Sequence, residues 1–443
     1  MNNKEYLKNL SFNINNFLYI LFFIILPFLV ILFNGHLFDY AKSFFIGAIF
    51  SIIFRLPFFL YCGGYLWASA ISIFIANWHI NLTSEPYIIN SIGDGADDRA
   101  YETRVLNPDT FGIFSTPYSD FLKIFLNPRL NFSEPTFYSL LSINCLFHSL
   151  GASAIFKIIR ILNYGNLAER FSYYSYLFFP LLAIDGLTLM RDGVIAALIT
   201  LLISELISDN NIFSLKTILS FFTLSFLRLA SGILFLFSIF ITWFLTRRKL
   251  VLTIKGVLII GFLIISGFLF AEKIIDYLLW KEIFANFFIR STMAEFYTNN
   301  IPDANLNYIL SLPLGIKQFS IFLYFLFAPF TSPLALFKGD SGLFFSSLFS
   351  LWNIFSIKLC IQDFFYQLNN YKILKNREYF RILIFFIISL YVIANYSIQL
   401  RHKSFVIPLQ IILTAHSLKH HRVFDNSSMW FFSLPYFLLI LID

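Results

Sequence analysis

Charged residues that interrupt long apolar runs are the features of this sequence most suited to chemistry. Arg191 and Asp192 are adjacent, and the runs on both sides of them are apolar enough to cross a bilayer. Charge is costly at membrane depth, so its retention there indicates a functional site. The alternative is a structural ion pair in which Arg191 binds Asp192 or Asp185. The pair therefore predicts either an anion site or a salt bridge between helix ends.

Two further basic points interrupt apolar sequence in the same way. Arg228 is flanked by apolar residues for about ten positions on each side. Arg401, His402 and Lys403 are consecutive and precede an apolar run that contains Pro408. Guanidinium groups grip phosphate oxygens in a fork, so several converging cations suit a diphosphate ligand. For Arg228 alone, the alternative is a side chain that extends to the membrane interface.

Residues 93–102 form an acidic segment with four carboxylates within nine residues. A carboxylate there would be stabilised at a helix N-terminus and would accept the proton of an attacking hydroxyl group. We expect Asp97 or Asp98 to be this base. Asp192 is the third candidate, because its neighbour Arg191 suits it more to orienting that arginine than to accepting a proton. A solvated turn is the alternative, since Asp-Gly pairs are common in turns. Secondary candidates in the segment are Asp94, Arg99, Tyr101 and Glu102.

The composition predicts the elements that hold these residues. Hydrophobic residues make up 58% of the 443 and charged residues only 13%, and the mean hydropathy is +0.74. Such a chain cannot cover itself in water, which indicates an all-α, polytopic membrane protein forming a single domain over residues 1–443. The three cysteines fall inside apolar runs, and no spacing predicts a disulfide, a metal site or another cofactor. The net charge of +7 indicates an excess of lysine and arginine in cytoplasmic loops, as is typical of membrane proteins. It does not indicate a nucleic-acid partner.

Placing the basic clusters in the cytoplasm predicts about 12 to 13 spans. Two long loops, residues 80–135 and 271–318, then lie outside, together with the three basic points. Phe319–Phe337 contains two prolines and is predicted to be re-entrant or interfacial. The predicted spans are Phe17–Phe33, Ser43–Phe54, Phe58–Trp78, Phe137–Ile158, Phe171–Leu187, Val194–Ile207, Ile218–Leu227, Ala230–Leu245, Val251–Phe270, Leu343–Phe364, Ile382–Gln399, Phe405–Ser417 and Trp430–Ile442.

With these residues the chain resembles the bacterial oligosaccharide repeat-unit polymerases, namely the Wzy-type O-antigen polymerases and their EpsG-type relatives. The resemblance lies in the acidic first outer loop, a span opened by Arg191-Asp192-Gly193, the Arg228 turn and the Arg401-His402-Lys403 segment. It covers most of the chain and implies a GT-C-like fold without nucleotide-sugar chemistry. It also implies a site facing the periplasm of the inner membrane, where undecaprenyl-diphosphate-linked oligosaccharides are polymerised, with a chain-length regulator as a further partner.

Two other functions stay open at this point. The same loop pattern is similar to GT-C glycosyltransferases that use a polyprenyl-phosphate sugar, although those often carry an acidic pair soon after the first span. Here three predicted spans precede the acids, which favours the polymerase. A flippase of lipid-linked oligosaccharide is the third function, but transporters usually show paired repeats with interrupted helices, and no such pairing is visible.

The predicted topology is testable by labelling single cysteines in intact cells. Cysteines at Asp98 and Arg401 should react with an impermeant thiol reagent, whereas one at Lys372, in a predicted cytoplasmic cluster, should react only after permeabilisation. Labelling of the first two positions only after permeabilisation would overturn the assignment of the site to the outer face.

Overall fold

The structure is a computed structural model that describes residues 24–83, 101–102, 105–106, 117–125, 136–209, 214–228, 231–239, 314–327, 341–369, 377–396 and 400–419. The regular elements in these ranges are helices, as predicted, and no strand occurs among the described residues. Three helices are long and apolar enough to cross a membrane. These features make the chain a helical membrane protein.

The helices follow one another along the chain with short connections in most places. The first half contains α1 (Leu26–Phe33), α2 (Leu37–Ile53), α3 (Phe58–Thr83), α4 (Pro117–Phe125), α5 (Phe137–Ile161), α6 (Asn166–Phe178), α7 (Pro180–Leu187), α8 (Arg191–Asp209) and α9 (Leu215–Leu227). Residues 231–239 are also helical. The second half contains α10 (Leu314–Phe327), α11 (Ser341–Asn369), α12 (Arg377–Tyr396), a 3₁₀ helix (Leu400–Phe405) and α13 (Ile407–Leu418).

Helix α5 lies at the centre of the bundle. Its N-terminus is fixed by a capping box, in which the Thr136 side chain accepts from the Ser139 amide and Ser139 accepts from the Thr136 amide. The apolar window of α5 is 94% buried, against 56% for Phe58–Trp78 and 50% for Ser347–Leu368. Helices α2, α3, α6, α7 and α8 all pack against it. The predicted span Phe137–Ile158 is therefore the core around which the others assemble.

One face of α5 carries small and polar residues that pack closely against α6 and α7. His148 bonds through Nε2 to the Leu177 carbonyl at 2.9 Å. Gly151 lies so close to the Tyr176 hydroxyl that a Cβ atom would collide with the ring. Small residues let membrane helices approach closely, and polar side chains hold them by hydrogen bonds.

The predicted span Phe171–Leu187 is not one continuous helix, because the structure divides it into α6 and α7. Proline at position 180 forces the preceding residue out of the helical region, and Phe179 accordingly adopts an extended backbone with ψ of 122°. Pro180 then opens α7, where its missing N–H is no loss. The short helix α7 delivers the chain to the turn that precedes Arg191.

Helix α8 connects two groups of buried charges at opposite ends of the bundle. Asp192 stands at its start, and Glu205 stands about 20 Å further along the axis. Glu205 binds Lys157 at 3.0 Å and lies 3.9 Å from Lys216, while Lys157 also donates to the Phe54 carbonyl at 2.9 Å. Lysines 157 and 216 thus lie at the end away from Asp192, as the predicted topology requires, although the orientation itself stays a prediction.

The predicted re-entrant segment Phe319–Phe337 is described only as far as Phe327, and its first part belongs to α10. Two carbonyls at the C-terminus of α10 accept hydrogen bonds from other segments. Asn353 of α11 donates to Leu326 and Phe327, both at 3.1 Å, and Lys403 donates to Leu326 at 2.8 Å. Helix-end carbonyls lack partners within their own helix, so these contacts satisfy the end of α10.

Replacing Glu205 by Gln should destabilise the protein by about 3 kcal/mol, because it leaves the largely buried Lys157 ammonium without its counter-charge. Glu169→Gln is the matched control. Glu169 binds the exposed Arg160 at 3.4 Å, and such surface pairs contribute about 1 kcal/mol at most. Thermal unfolding of the detergent-purified variants measures the difference, and equal shifts in melting temperature would contradict it.

Candidate functional site

The guanidinium group of Arg228 joins three segments that are distant in sequence. Its Nη1 donates to Oδ1 of Asp192 at 2.9 Å, and its Nη2 contacts Nε2 of His402 within hydrogen-bond distance. Asp192 opens α8, Arg228 follows α9, and His402 lies in the 3₁₀ helix. We call these three residues the charged array. Two of the three basic points predicted from the sequence therefore meet, together with the predicted carboxylate.

The chemistry of the side chains fixes how the protons are placed in the charged array. A guanidinium has donors and no acceptor, so in the hydrogen bond between the two groups Arg228 donates and Nε2 of His402 accepts. The Asp192 carboxylate is buried, with 4% of its surface exposed. One arginine thus uses one nitrogen on a carboxylate and another on an imidazole, a pattern for which the planar fork is required.

The backbone around Arg228 holds its side chain in place. Arg228 ends α9 with an extended conformation, and its carbonyl accepts from the amides of Ser231 and Gly232 at 2.9 and 3.2 Å. A Cβ atom at Gly232 would lie 2.9 Å from Cβ and 3.1 Å from Cα of Ser225. Glycine is needed here because the two arms of the turn approach too closely for a side chain.

The start of α8 differs from the prediction in one respect. We expected Asp192 to orient Arg191, but its carboxylate binds Arg228 instead. The reason is geometric, since neighbouring side chains on a helix point about 100° apart and do not face each other. Among the described residues, Nε of Arg191 is buried and has no hydrogen-bond partner. Asp192 in the first turn also interacts favourably with the helix dipole.

A buried amide on α5 supports the turn that leads into α8. Asn144 is fully buried and donates through Nδ2 to the carbonyl of Thr188 at 2.5 Å and to that of Met190 at 2.9 Å. Its Oδ1 accepts from the Tyr118 hydroxyl of α4 at 2.5 Å. Burial raises the pKa of the Tyr118 phenol well above its usual range, so the hydroxyl keeps its proton and donates.

The end of the acidic segment packs against Tyr118. The Tyr101 ring makes an edge contact with the Tyr118 ring, with centroids 4.7 Å apart. Tyr101 is buried and its neighbour Glu102 is half-buried. Asp94, Asp97, Asp98 and Arg99 lie outside the described residues.

The three residues of the third basic point, Arg401, His402 and Lys403, do not all lie in the site. The backbone of Arg401 lies in the 3₁₀ helix beside His402, and its side chain is outside the description. Lys403 is fully buried, donates to the Leu326 carbonyl and lies over the rings of Phe325 and Phe349 at 5.9 and 5.3 Å. This position supports the end of α10 and does not favour the predicted role of Lys403 as a diphosphate ligand.

Sequence reasoning missed Asn144 and Tyr118. A signal existed for Asn144, because an amide in the middle of an apolar span is costly unless it is bonded. No comparable signal marks Tyr118, since tyrosine is common in this chain. Among the described residues, no group of three or more His, Cys, Asp or Glu side chains is placed to hold a metal ion.

The charged array should show strong energetic coupling between Asp192 and Arg228. In a double-mutant cycle of Asp192→Asn and Arg228→Gln, we expect a coupling free energy of about 1–3 kcal/mol, measured by SDS-induced unfolding of the solubilised protein. Asp120 and Lys123 of α4 form a half-exposed pair at 4.0 Å and provide the control, with coupling below about 0.5 kcal/mol. Equally weak coupling in both cycles would show that the array contributes nothing to stability.

Comparisons of the chain with protein-family models, with curated proteins and with solved structures find no match. The resemblance to repeat-unit polymerases therefore rests on the quoted residues. The geometry of the charged array is an observation that does not depend on that resemblance.

Proposed function

We propose that this protein polymerises undecaprenyl-diphosphate-linked oligosaccharide repeat units into a surface polysaccharide such as O-antigen. The carrying observation is the charged array, in which Asp192, Arg228 and His402 meet although Arg228 and His402 are 174 residues apart in sequence. Buried charges are costly in a membrane protein, so their convergence at one end of the bundle supports the proposal of a site there. Tyr101, at the end of the acidic segment, packs against Tyr118, which binds Asn144 beside the turn before Arg191.

The proposed reaction assigns each charge a task. A hydroxyl oxygen of the acceptor glycan attacks the anomeric carbon of the donor glycan, and the bond from that carbon to the phosphate oxygen breaks. The hydroxyl proton passes to a carboxylate, for which Asp98 or Asp97 is proposed. Undecaprenyl diphosphate leaves with the electron pair of the broken bond. Arg191 and Arg401 stabilise its developing negative charge.

Within this scheme the charged array acts through Arg228. Asp192 and His402 occupy two of its nitrogens, so the guanidinium is held rigid and contributes positive charge in a fixed place. Preorganised charge stabilises a transition state without the cost of reorienting at the moment of reaction. Because Asp192 already binds Arg228, it is less suited to act as the base. This favours a carboxylate of the acidic segment as the base.

The proposal also covers the architecture of the protein, its location in the membrane and its partners. It includes a GT-C-like architecture with about 12 to 13 spans and a site on the periplasmic face of the bacterial inner membrane. The partners would be the lipid-linked oligosaccharide, membrane lipid and a chain-length regulator protein. The separation of the charged array from Lys157 and Lys216 along α8 supports the placement of the array and these lysines on opposite faces of the membrane.

The proposal predicts how substitutions at Arg228 affect polymerisation by the full chain in lipid nanodiscs. Arg228→Ala should lower the rate about 100-fold or more, because it removes fixed charge and leaves Asp192 buried without a partner. Arg228→Lys should recover only part of the rate, since an ammonium cannot serve Asp192 and His402 together. The control is Arg381→Ala, which breaks a half-exposed pair with Glu378 and should leave the rate within about twofold.

The donor lipid distinguishes the competing functions. Repeat units on undecaprenyl diphosphate, extracted from the source cells, should be joined into longer glycans, with products resolved by gel and mass spectrometry. Transfer of one sugar from undecaprenyl monophosphate alone would favour the single-sugar transferase. Movement of the lipid-linked oligosaccharide across a vesicle membrane without a new glycosidic bond would favour the flippase. Full-length polymer from Arg228→Ala would overturn the assignment of the site.

A further inference from the structure

Asn144 has every polar atom of its side chain engaged. Both partners of Nδ2 are carbonyls, which only accept, and the partner of Oδ1 is a phenol that keeps its proton and donates. A flipped amide would aim Oδ1 at two carbonyl oxygens, so only one orientation satisfies the three contacts. An amide with both of its polar atoms hydrogen-bonded and 0% exposure is a rigid point in the bundle.

The rigid point bears on the last residues before the charged array. Thr188 and Met190 precede Arg191 and Asp192, and the Met190 amide donates to the Thr188 carbonyl at 2.8 Å within the same tight turn. Asn144 therefore clamps both ends of this turn from the neighbouring helix. The direction in which α8 begins, and with it the placement of Arg191 and Asp192, depends on the clamp.

The third contact of Asn144 reaches a different part of the chain. Tyr118 lies on α4, in the stretch predicted to be the first outer loop, and its ring packs against Tyr101 at the end of the acidic segment. Tyr118 has 0% exposure, so its hydroxyl bond to Asn144 is shielded from competing water. A single side chain thus holds the turn before the arginines and the helix that follows the acidic residues.

We propose that Asn144 and Tyr118 are positioning residues that keep Tyr101, at the end of the acidic segment, and the Arg191–Asp192 turn in one fixed register. Asn144 sets the turn, and Tyr118 ties α4 and Tyr101 to it. This inference rests on the proposed function for its catalytic meaning, because the register matters when a base and phosphate-binding arginines act on one substrate. The mechanical link between the loop and the turn stands independently of which reaction occurs.

Tyr118→Phe is the gentlest test because it removes one hydroxyl and keeps the ring. The control is Tyr138→Phe, which removes a similar phenol-to-amide bond, from Tyr138 to Oδ1 of Asn77 at 3.1 Å. Tyr138 is on the same helix α5 as Asn144 but does not contact the turn. Two readouts are needed on the full-length protein in nanodiscs, namely amide hydrogen exchange of residues 188–194 and the kinetics of polymerisation.

Tyr118→Phe should speed exchange in residues 188–194 about 3- to 10-fold, the range that follows from losing one hydrogen bond, and Tyr138→Phe should change it less than about twofold. The turnover number of Tyr118→Phe should fall by a similar factor with the KM for the donor lipid unchanged. Asn144→Ala should produce a larger effect on both. Adding Tyr118→Phe to Asn144→Ala should then change little, since the two residues act through one contact.

The outcomes separate this inference from the proposed function. Unchanged exchange at residues 188–194 in Tyr118→Phe, in a protein that polymerises normally, would overturn the positioning role and leave the polymerase intact. Faster exchange in a protein that shows no polymerisation with any donor would support the link and overturn the function. Equal effects of Tyr118→Phe and Tyr138→Phe would mean a general loosening of the bundle, which also contradicts the inference. If Asn144→Ala does not fold, Tyr118→Phe decides alone.

Discussion

The bond from the Arg228 guanidinium to Asp192 and His402 sets the arrangement of the segments around it. Each of the three side chains is largely buried, so each requires a partner among protein groups. A planar fork serves a carboxylate and an imidazole only if the start of α8, the end of α9 and the 3₁₀ helix meet at one point. The close turn at Gly232 holds the backbone of Arg228, and Lys403 ties the 3₁₀ helix that carries His402 to the end of α10.

Helix α5 provides the frame within which this meeting occurs. Its face toward α6 and α7 carries His148 and Gly151, which meet adjacent residues of α6, and Asn144, which binds the turn that follows α7. Lipid supplies little hydrophobic driving force between helices, so close packing and hydrogen bonds must hold them together. An apolar α5 of the same length would still cross the membrane, but it would not set the height and direction of the turn before Arg191.

Composition and hydropathy predict the helices that are long and uniform, and the structure confirms α3, α5 and α11 near their expected bounds. Hydropathy did not predict the interruption at Pro180, where one continuous apolar run forms two separate helices. For the site, the cost of buried charge singled out Asp192, Arg228 and His402 as candidates, and the structure brings these three side chains into contact. Their role in a site stays a prediction, as does the convergence of Arg191, Arg228 and Arg401, because the Arg401 side chain lies outside the described residues. It could not identify which charge pairs with which, because adjacency of Arg191 and Asp192 in sequence says nothing of the direction of their side chains. Tyr118 escaped notice since its role depends on a contact with Asn144, 26 residues away.

The two ends of α8 differ in a way that bears on function. At the far end, Glu205 is met by Lys157 and Lys216, so the acid there has cations at both of its oxygens. At the near end, Asp192 and Arg228 are paired, and Arg191 brings a second positive charge that has no ion-pair partner among the described residues. Both ends therefore hold one carboxylate and two cations, but at the Glu205 end both cations contact the carboxylate, whereas at the Asp192 end only Arg228 does. A cation that binds no carboxylate, beside a rigid arginine, favours the binding of an anion, and under the proposed function a lipid diphosphate would be that anion.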